Sequence, residues 1–184
     1  MRVRSSLLKS VIVGLLASTF LAPAPANAAA TEVSAGGEYR LRFFHLHTGE
    51  RLDIVYRKGD HYIPEALDFL DRYLRDHRTG DIRHYEPKVF DLLYDLTAQL
   101  GRPNAEIDVV CGYRTPWSNE FLRTHAHGEP RHSLHMQALA IDIRLPGIST
   151  AHLRDAALAL HRGGVGYYVS SDFVHVDVGR VRRW

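Results

Sequence analysis

The chain has 184 residues, 45% hydrophobic and 24% charged, with 23 basic side chains, 21 acidic ones and 12 histidines. That composition fits one globular domain and excludes a disordered tail protein, a fibrous repeat and a polytopic membrane protein. The single cysteine, Cys111, excludes an intramolecular disulfide and any multi-cysteine zinc or iron–sulfur site.

Residues 1–28 read as a Sec-type secretory signal. Arg2, Arg4 and Lys9 make a positive start, an apolar stretch runs from Val11 to Leu21, and Ala26-Asn27-Ala28 supplies small residues for cleavage. The apolar stretch is short for a membrane span, and Pro23 and Pro25 end it. A mature form without membrane insertion, exported to a periplasm, is therefore expected. It keeps 20 basic and 21 acidic residues, so basicity gives no support for nucleic-acid binding. Its 156 residues suffice for a core without disulfides.

Residues 29–38 read as a flexible leader to a single domain over 39–184. Tyr39–Leu46 and Leu52–Arg57, joined by His47-Thr48-Gly49-Glu50, suggest a hairpin. Pro64 suits the first position of a helix with Leu67, Leu70 and Leu74 on one face, ending near His77. A second helix from about Pro87 carries Val89, Leu93, Leu96 and Leu100 and stops at Gly101. Ile107–Cys111 is a short β-run ahead of Gly112-Tyr113-Arg114, and residues 115–134 read as an irregular excursion. Leu139–Leu145 reads as a strand, Ser149 caps a helix from about Thr150 to His161, and Gly166–Val169 with Phe173–Val178 make a last hairpin. Helices early and strands late predict an α+β domain: a small antiparallel sheet with flanking helices.

The chemistry concentrates in Ser133-Leu134-His135-Met136-Gln137-Ala138-Leu139-Ala140-Ile141-Asp142. A loop histidine precedes, by seven residues, an aspartate set in an apolar strand, where a lone carboxylate is costly to bury without a partner. A metal ion is the simplest partner, and His175, flanked by apolar residues in the last strand, is a third candidate. Two imidazoles, one carboxylate and an open position are what a hydrolytic zinc requires. Spacing alone leaves the alternative open that each is a satisfied core residue.

At these residues the sequence resembles the D-Ala-D-Ala metallopeptidase superfamily, which shares the hedgehog fold and has an SxHxxGxAxD signature. HLHTGE, the GYR after a strand, GGVGYY and FVHVD extend the resemblance, over roughly residues 40–184, to its periplasmic murein endopeptidase K group. The resemblance implies one Zn2+ held by His135, Asp142 and His175, with Ala138 standing where the signature usually has glycine. It implies that Arg114 stabilises the polarised carbonyl, whereas from the residues alone it reads as a structural or surface ion pair. For the general base it points to Asp172, three positions before His175. Asp177 competes, because alternation puts it on the face of His175, or else it orients an imidazole.

The implied function is a zinc-dependent endopeptidase that hydrolyses peptidoglycan stem-peptide cross-links containing meso-diaminopimelate. Three alternatives are a D,D- or L,D-carboxypeptidase trimming stem peptides, a non-catalytic zinc-containing muropeptide-binding module, and a histidine-rich metal binder. His125, His127 and His132 read as solvent-facing or as lining the substrate groove. His45, His47, His61, His77, His84, His152 and His161 read as lacking convergent partners. Cys111 reads as a small buried hydrophobe, and Arg180, Arg182 and Arg183 as a solvated tail.

Overall fold

A computed structural model of the chain describes residues 37–125 and 130–184. The signal at 1–28, nearly all of the leader and His127 lie outside the described residues. Strand β1 (Glu38–His45) pairs antiparallel with β2 (Arg51–Lys58), which pairs with the short β3 (His61–Tyr62). Two helices follow, α1 (Pro64–Tyr73) and α2 (Lys88–Gln99). The chain then returns as β4 (Glu106–Cys111), parallel to β1. Helix α3 (Pro116–His125), a 3-10 turn (Leu134–Gln137) and β5 (Ala140–Arg144) come next. Helix α4 (Thr150–Leu160) leads to β6 (Gly164–Tyr168), β7 (Phe173–Asp177) and β8 (Arg182–Arg183).

These strands form one sheet in the order β3-β2-β1-β4-β5-β7-β6-β8. The α+β class matches the expectation, but the sheet is mixed. β1 and β4 are parallel because the chain covers one face with α1 and α2 before returning, and β8 lies parallel to β6. Among the described residues, no helix is long and apolar enough to cross a membrane.

Alternation along the strands separates the core from the site. Ile141, Ile143, Val174 and Val176 point to the core with Leu41, Phe43 and Val109. Leu70 and Leu74 from α1 and the adjoining turn, Val89, Leu93 and Leu96 from α2, and Leu153 from α4 complete it. The stripes read from sequence are thus core faces, and truncating a buried leucine such as Leu93 to alanine would cost about 2–5 kcal/mol. The intervening residues, Asp142 on β5 with His175 and Asp177 on β7, point to the opposite face, and Asp142 stands directly across from His175.

Helix α3 occupies part of the stretch expected to be irregular. Asp76, fully buried at the end of the α1 turn, accepts hydrogen bonds from the Thr115 amide (2.8 Å) and hydroxyl (2.9 Å). Thr115 in turn accepts from the Ser118 amide at 3.1 Å, so a cap anchored 39 residues away starts the helix. The Tyr113 amide donates to the Leu74 carbonyl (2.9 Å), and a Cβ at Gly112 would lie 2.6 Å from that oxygen, so only glycine allows the approach. Gly112-Tyr113-Arg114 is thereby fixed against the end of α1.

Candidate metal centre and active-site cleft

Three side chains from three elements meet on the non-core face. His135 Nε2 lies 3.1 Å from Asp142 Oδ1 and 3.0 Å from His175 Nδ1, and His175 Nδ1 lies 2.8 Å from the same Asp142 oxygen. All three residues are buried. The tautomers follow from the outer contacts. His135 Nδ1 is 2.8 Å from the Gly112 carbonyl, which can only accept, so Nδ1 carries the proton and Nε2 the lone pair. His175 Nε2 is 3.1 Å from Asp177 Oδ2, so its proton sits there and its Nδ1 lone pair faces inward.

With both imidazoles neutral, two imidazole lone pairs and a carboxylate oxygen therefore converge with no hydrogen between them. Such a triangle of acceptors is repulsive unless a cation or a shared proton occupies it. Ligands in a tetrahedral zinc shell at 2.0–2.1 Å stand about 3.3 Å apart, close to the separations here. The donor set thus fits a borderline divalent ion, and His135, Asp142 and His175 are the residues that could hold it.

Burial opposes charge on each of these groups. On Asp142 the adjacent imidazoles outweigh it and hold the carboxyl far below its ordinary range. On His175 the hydrogen bonds to Asp142 and Asp177 outweigh it and lift the imidazole to about 9. Burial keeps His135 below its ordinary value despite Asp142. The metal-free triad thus keeps its cation as a proton on His175, which a metal must displace.

The local backbone explains how His135 reaches the sheet. Ser133 caps the 3-10 turn through the His135 amide (3.3 Å), and Ala138 ends it in the left-handed region at φ 54°. Glycine adopts that conformation without strain, which accounts for the signature glycine that Ala138 replaces. On the other side, a bulge between Val109 and Cys111 turns Cys111 toward Asp142 instead of the core. Its sulfur lies within 4.8 Å of ligand atoms on His135 and Asp142, a placement the strand pattern did not suggest.

Arg114 is buried, its amide donates to the His135 carbonyl (3.3 Å), and its guanidinium reaches the Ser133 hydroxyl at 3.5 Å. It shares a cleft with His132, Tyr168, Phe173, Trp184 and the triad. The Trp184 indole donates to the Tyr168 hydroxyl at 3.0 Å, and its ring sits 5.1 Å from that of His175. A Cβ on Gly166 would fall 2.6 Å from the indole, so glycine there lets Trp184 pack against the cleft.

The two carboxylates expected as general base lie in unlike places. Asp177 is fully buried, and both of its oxygens are engaged: Oδ1 accepts from the amides of Gly164 (2.9 Å) and Gly179 (2.8 Å), and Oδ2 meets His175 and Arg182. Burial opposes its charge, but these donors hold its carboxyl far below the ordinary range. It orients His175. Asp172 is exposed in the β6–β7 turn at φ 51°, where its Oδ1 accepts from the Thr150 hydroxyl at 2.9 Å and its carbonyl from Arg144 at 2.6 Å. It is not among the residues lining the cleft. Arg182, expected in a solvated tail, is instead ion-paired to Asp177 at 2.8 Å.

Sequence reasoning missed a second grouping. His47 and His77 stack in parallel with centroids 4.1 Å apart, and both rings lie about 6 Å from that of His45. The repeated turn signals His47-Thr48-Gly49 and His77-Arg78-Thr79-Gly80 could have marked both loops, but nothing local brings them together. His132 lines the cleft as one of the readings had it, whereas His125 is exposed at the end of α3.

An acceptor triangle on an α+β sheet, with an arginine-bearing loop beside it, defines the class: a metal-dependent peptidase of the D-Ala-D-Ala peptidase superfamily. A family model described as Peptidoglycan L,D-endopeptidase MepK matches residues 33–184, and the chain belongs to that family. It is 39% identical over 144 residues to the probable peptidoglycan L,D-endopeptidase MepK of Haemophilus influenzae, covering 78% of this chain and 77% of the relative. It is also 39% identical over 140 residues to peptidoglycan L,D-endopeptidase MepK of Escherichia coli K12, covering 76% of each. No solved structure matches the chain.

Proposed function

We propose that this chain is an exported zinc peptidase that hydrolyses diaminopimelate-containing peptide cross-links of peptidoglycan, with an L,D bond as its target. The observation that carries the reading is the convergence of His135 Nε2, Asp142 Oδ1 and His175 Nδ1. The relatives' names supply the bond type, and the pattern of residues 1–28 supplies export to the periplasm.

A bound zinc would acidify a water molecule and polarise the scissile carbonyl. The chain's own groups do the rest. The Gly112 carbonyl and Asp177 hold the two imidazoles with their lone pairs inward. Arg114, fixed by the Gly112–Leu74 contact and by Ser133, offsets charge developing on the carbonyl oxygen. Asp177 is engaged with His175 and Asp172 faces Thr150, and among the described residues His132 is an imidazole in the cleft wall that can carry the proton transfers. Trp184 and Tyr168 narrow the cleft around an extended peptide.

The test is incubation of the zinc-loaded protein with purified cross-linked muropeptide dimers, read by mass spectrometry beside His175→Ala. Conversion of dimers to monomers, abolished by the substitution and by a chelator, is expected. Loss of one terminal residue from monomers would make the protein a carboxypeptidase, and tight binding without cleavage would make it a binding module.

A further inference from the structure

A second cavity, of about 130 Å³, adjoins the metal centre and shares Arg114, Asp142 and Phe173 with the cleft. Its far wall is made by the stacked His47 and His77 and by Arg78. The volume is several times the roughly 30 Å³ share of a water molecule, room for a carboxylate and the carbon bearing it. Among the described residues Asp142 is the one acidic residue in the lining, and its Oδ1 is committed to His135 and His175. Arg78 is exposed and has no carboxylate partner among the described residues, and its amide is pinned by Asp76 at 2.9 Å.

Among the described residues, this wall therefore offers a guanidinium beside two imidazoles, with no carboxylate paired to the guanidinium. Burial, followed by the charge of Arg78, depresses His47, and His77 is lowered to about 4 by burial, then by His47 and Arg78. Both rings are thus neutral near pH 7; the His47 N–H has the Val110 carbonyl as its acceptor, so the positive charge of this wall is that of Arg78. The substrate class supplies one. When the amine at one centre of diaminopimelate forms the cross-link, the carboxylate on that same carbon stays free, its carbon two bonds from the scissile nitrogen.

We infer that His47, His77 and Arg78 form a subsite that binds the free carboxylate on the carbon bearing the leaving nitrogen. The inference rests on the peptidase reading above and deepens it. The subsite makes the enzyme selective for free-acid over amidated cross-links, and Arg78, the charged member, sets most of that selectivity.

The experiment uses two purified muropeptide dimers that differ only in whether this carboxylate is free or amidated, with the zinc-loaded protein. The free acid is cut with a kcat/KM about ten- to hundredfold higher, mainly through KM. Arg78→Gln brings that ratio close to one, and Arg78→Lys keeps part of it. Equal cleavage of both dimers by the unaltered protein, or an Arg78→Gln variant that slows both by the same factor, overturns the subsite. In parallel, the ring resonances of His47 and His77 in the metal-stripped protein are followed as each dimer is added. Movement with the free acid alone supports the subsite, and movement with both dimers or neither overturns it. Cleavage of neither dimer defeats the peptidase reading, and the resonances then decide the subsite without it.

Discussion

The molecule carries two histidine clusters, and they differ in their partners more than in their imidazoles. At His135 and His175 a carboxylate stands between the rings and another behind them, and the outer acceptors turn the lone pairs inward. At His45, His47 and His77 the rings face one another, and His47 and His77 line a cavity with Arg78, with no carboxylate between the rings among the described residues. The first cluster is an acceptor triangle that demands a cation, and the second sets neutral imidazoles beside a positive charge. Residue type is the same in both, and the groups that the imidazoles touch decide the chemistry.

The sharpest way to break this comparison is to remove a vertex of the triangle. Asp142→Ala or His175→Ala should abolish stoichiometric metal binding and lower cross-link cleavage by about a thousandfold or more, measured by metal content and by turnover. Full occupancy in either variant would show that the triangle is not the site. Next comes the carboxylate behind His175. Asp177→Asn, which takes the carboxylate away from His175 Nε2, should weaken zinc affinity about ten- to hundredfold in competition with a chelator. Asp172→Asn, by contrast, should leave turnover within about twofold, because that side chain faces Thr150.

The other cluster predicts a pH effect on stability. His45 is fully buried, and its Nδ1 accepts from the His47 amide at 3.2 Å. Its Nε2 proton is left without a partner, and burial lowers its pKa to about 4. A depressed histidine stays neutral in the fold but takes up a proton on unfolding below about 6.5. Its contribution is therefore whole above that pH and is lost as the pH falls toward 4. Between pH 7 and pH 5 this costs about 1–2 kcal/mol, visible in denaturant midpoints and missing from the slope of His45→Gln. The smallest effect concerns Ala138. Ala138→Gly relieves a left-handed alanine worth about 1 kcal/mol but exposes a fully buried methyl site worth about 0.8 kcal/mol, so stability should move by less than about 0.5 kcal/mol.

The elements legible in the sequence were those with an ordinary pattern. The stripes of α1 and α2, the Ser149 cap of α4 and the β6–β7 hairpin follow hydrophobic period and cap chemistry closely. Helix α3 inverts the pattern: Ser118 and Asn119 are buried, while Trp117 and Phe121 are exposed and stack on each other. Read for an apolar inward face, such a helix is invisible, and its cap depends on Asp76 from a distant turn. The seven-residue spacing of His135 and Asp142 exposed half of the metal centre, because one loop and one strand carry both. The bulge that turns Cys111 toward the site and the β6–β7 turn that holds Asp172 at the far side are backbone events that residue type does not announce. The same holds for His47 and His77, which topology alone brings together.

The most direct test of the central claim is anomalous diffraction at the zinc edge from crystals of the zinc-loaded protein. The account predicts one strong peak, seated on His135 Nε2, Asp142 Oδ1 and His175 Nδ1. A peak at His45, His47 and His77, or one ligated by Cys111 in place of His175, would contradict it.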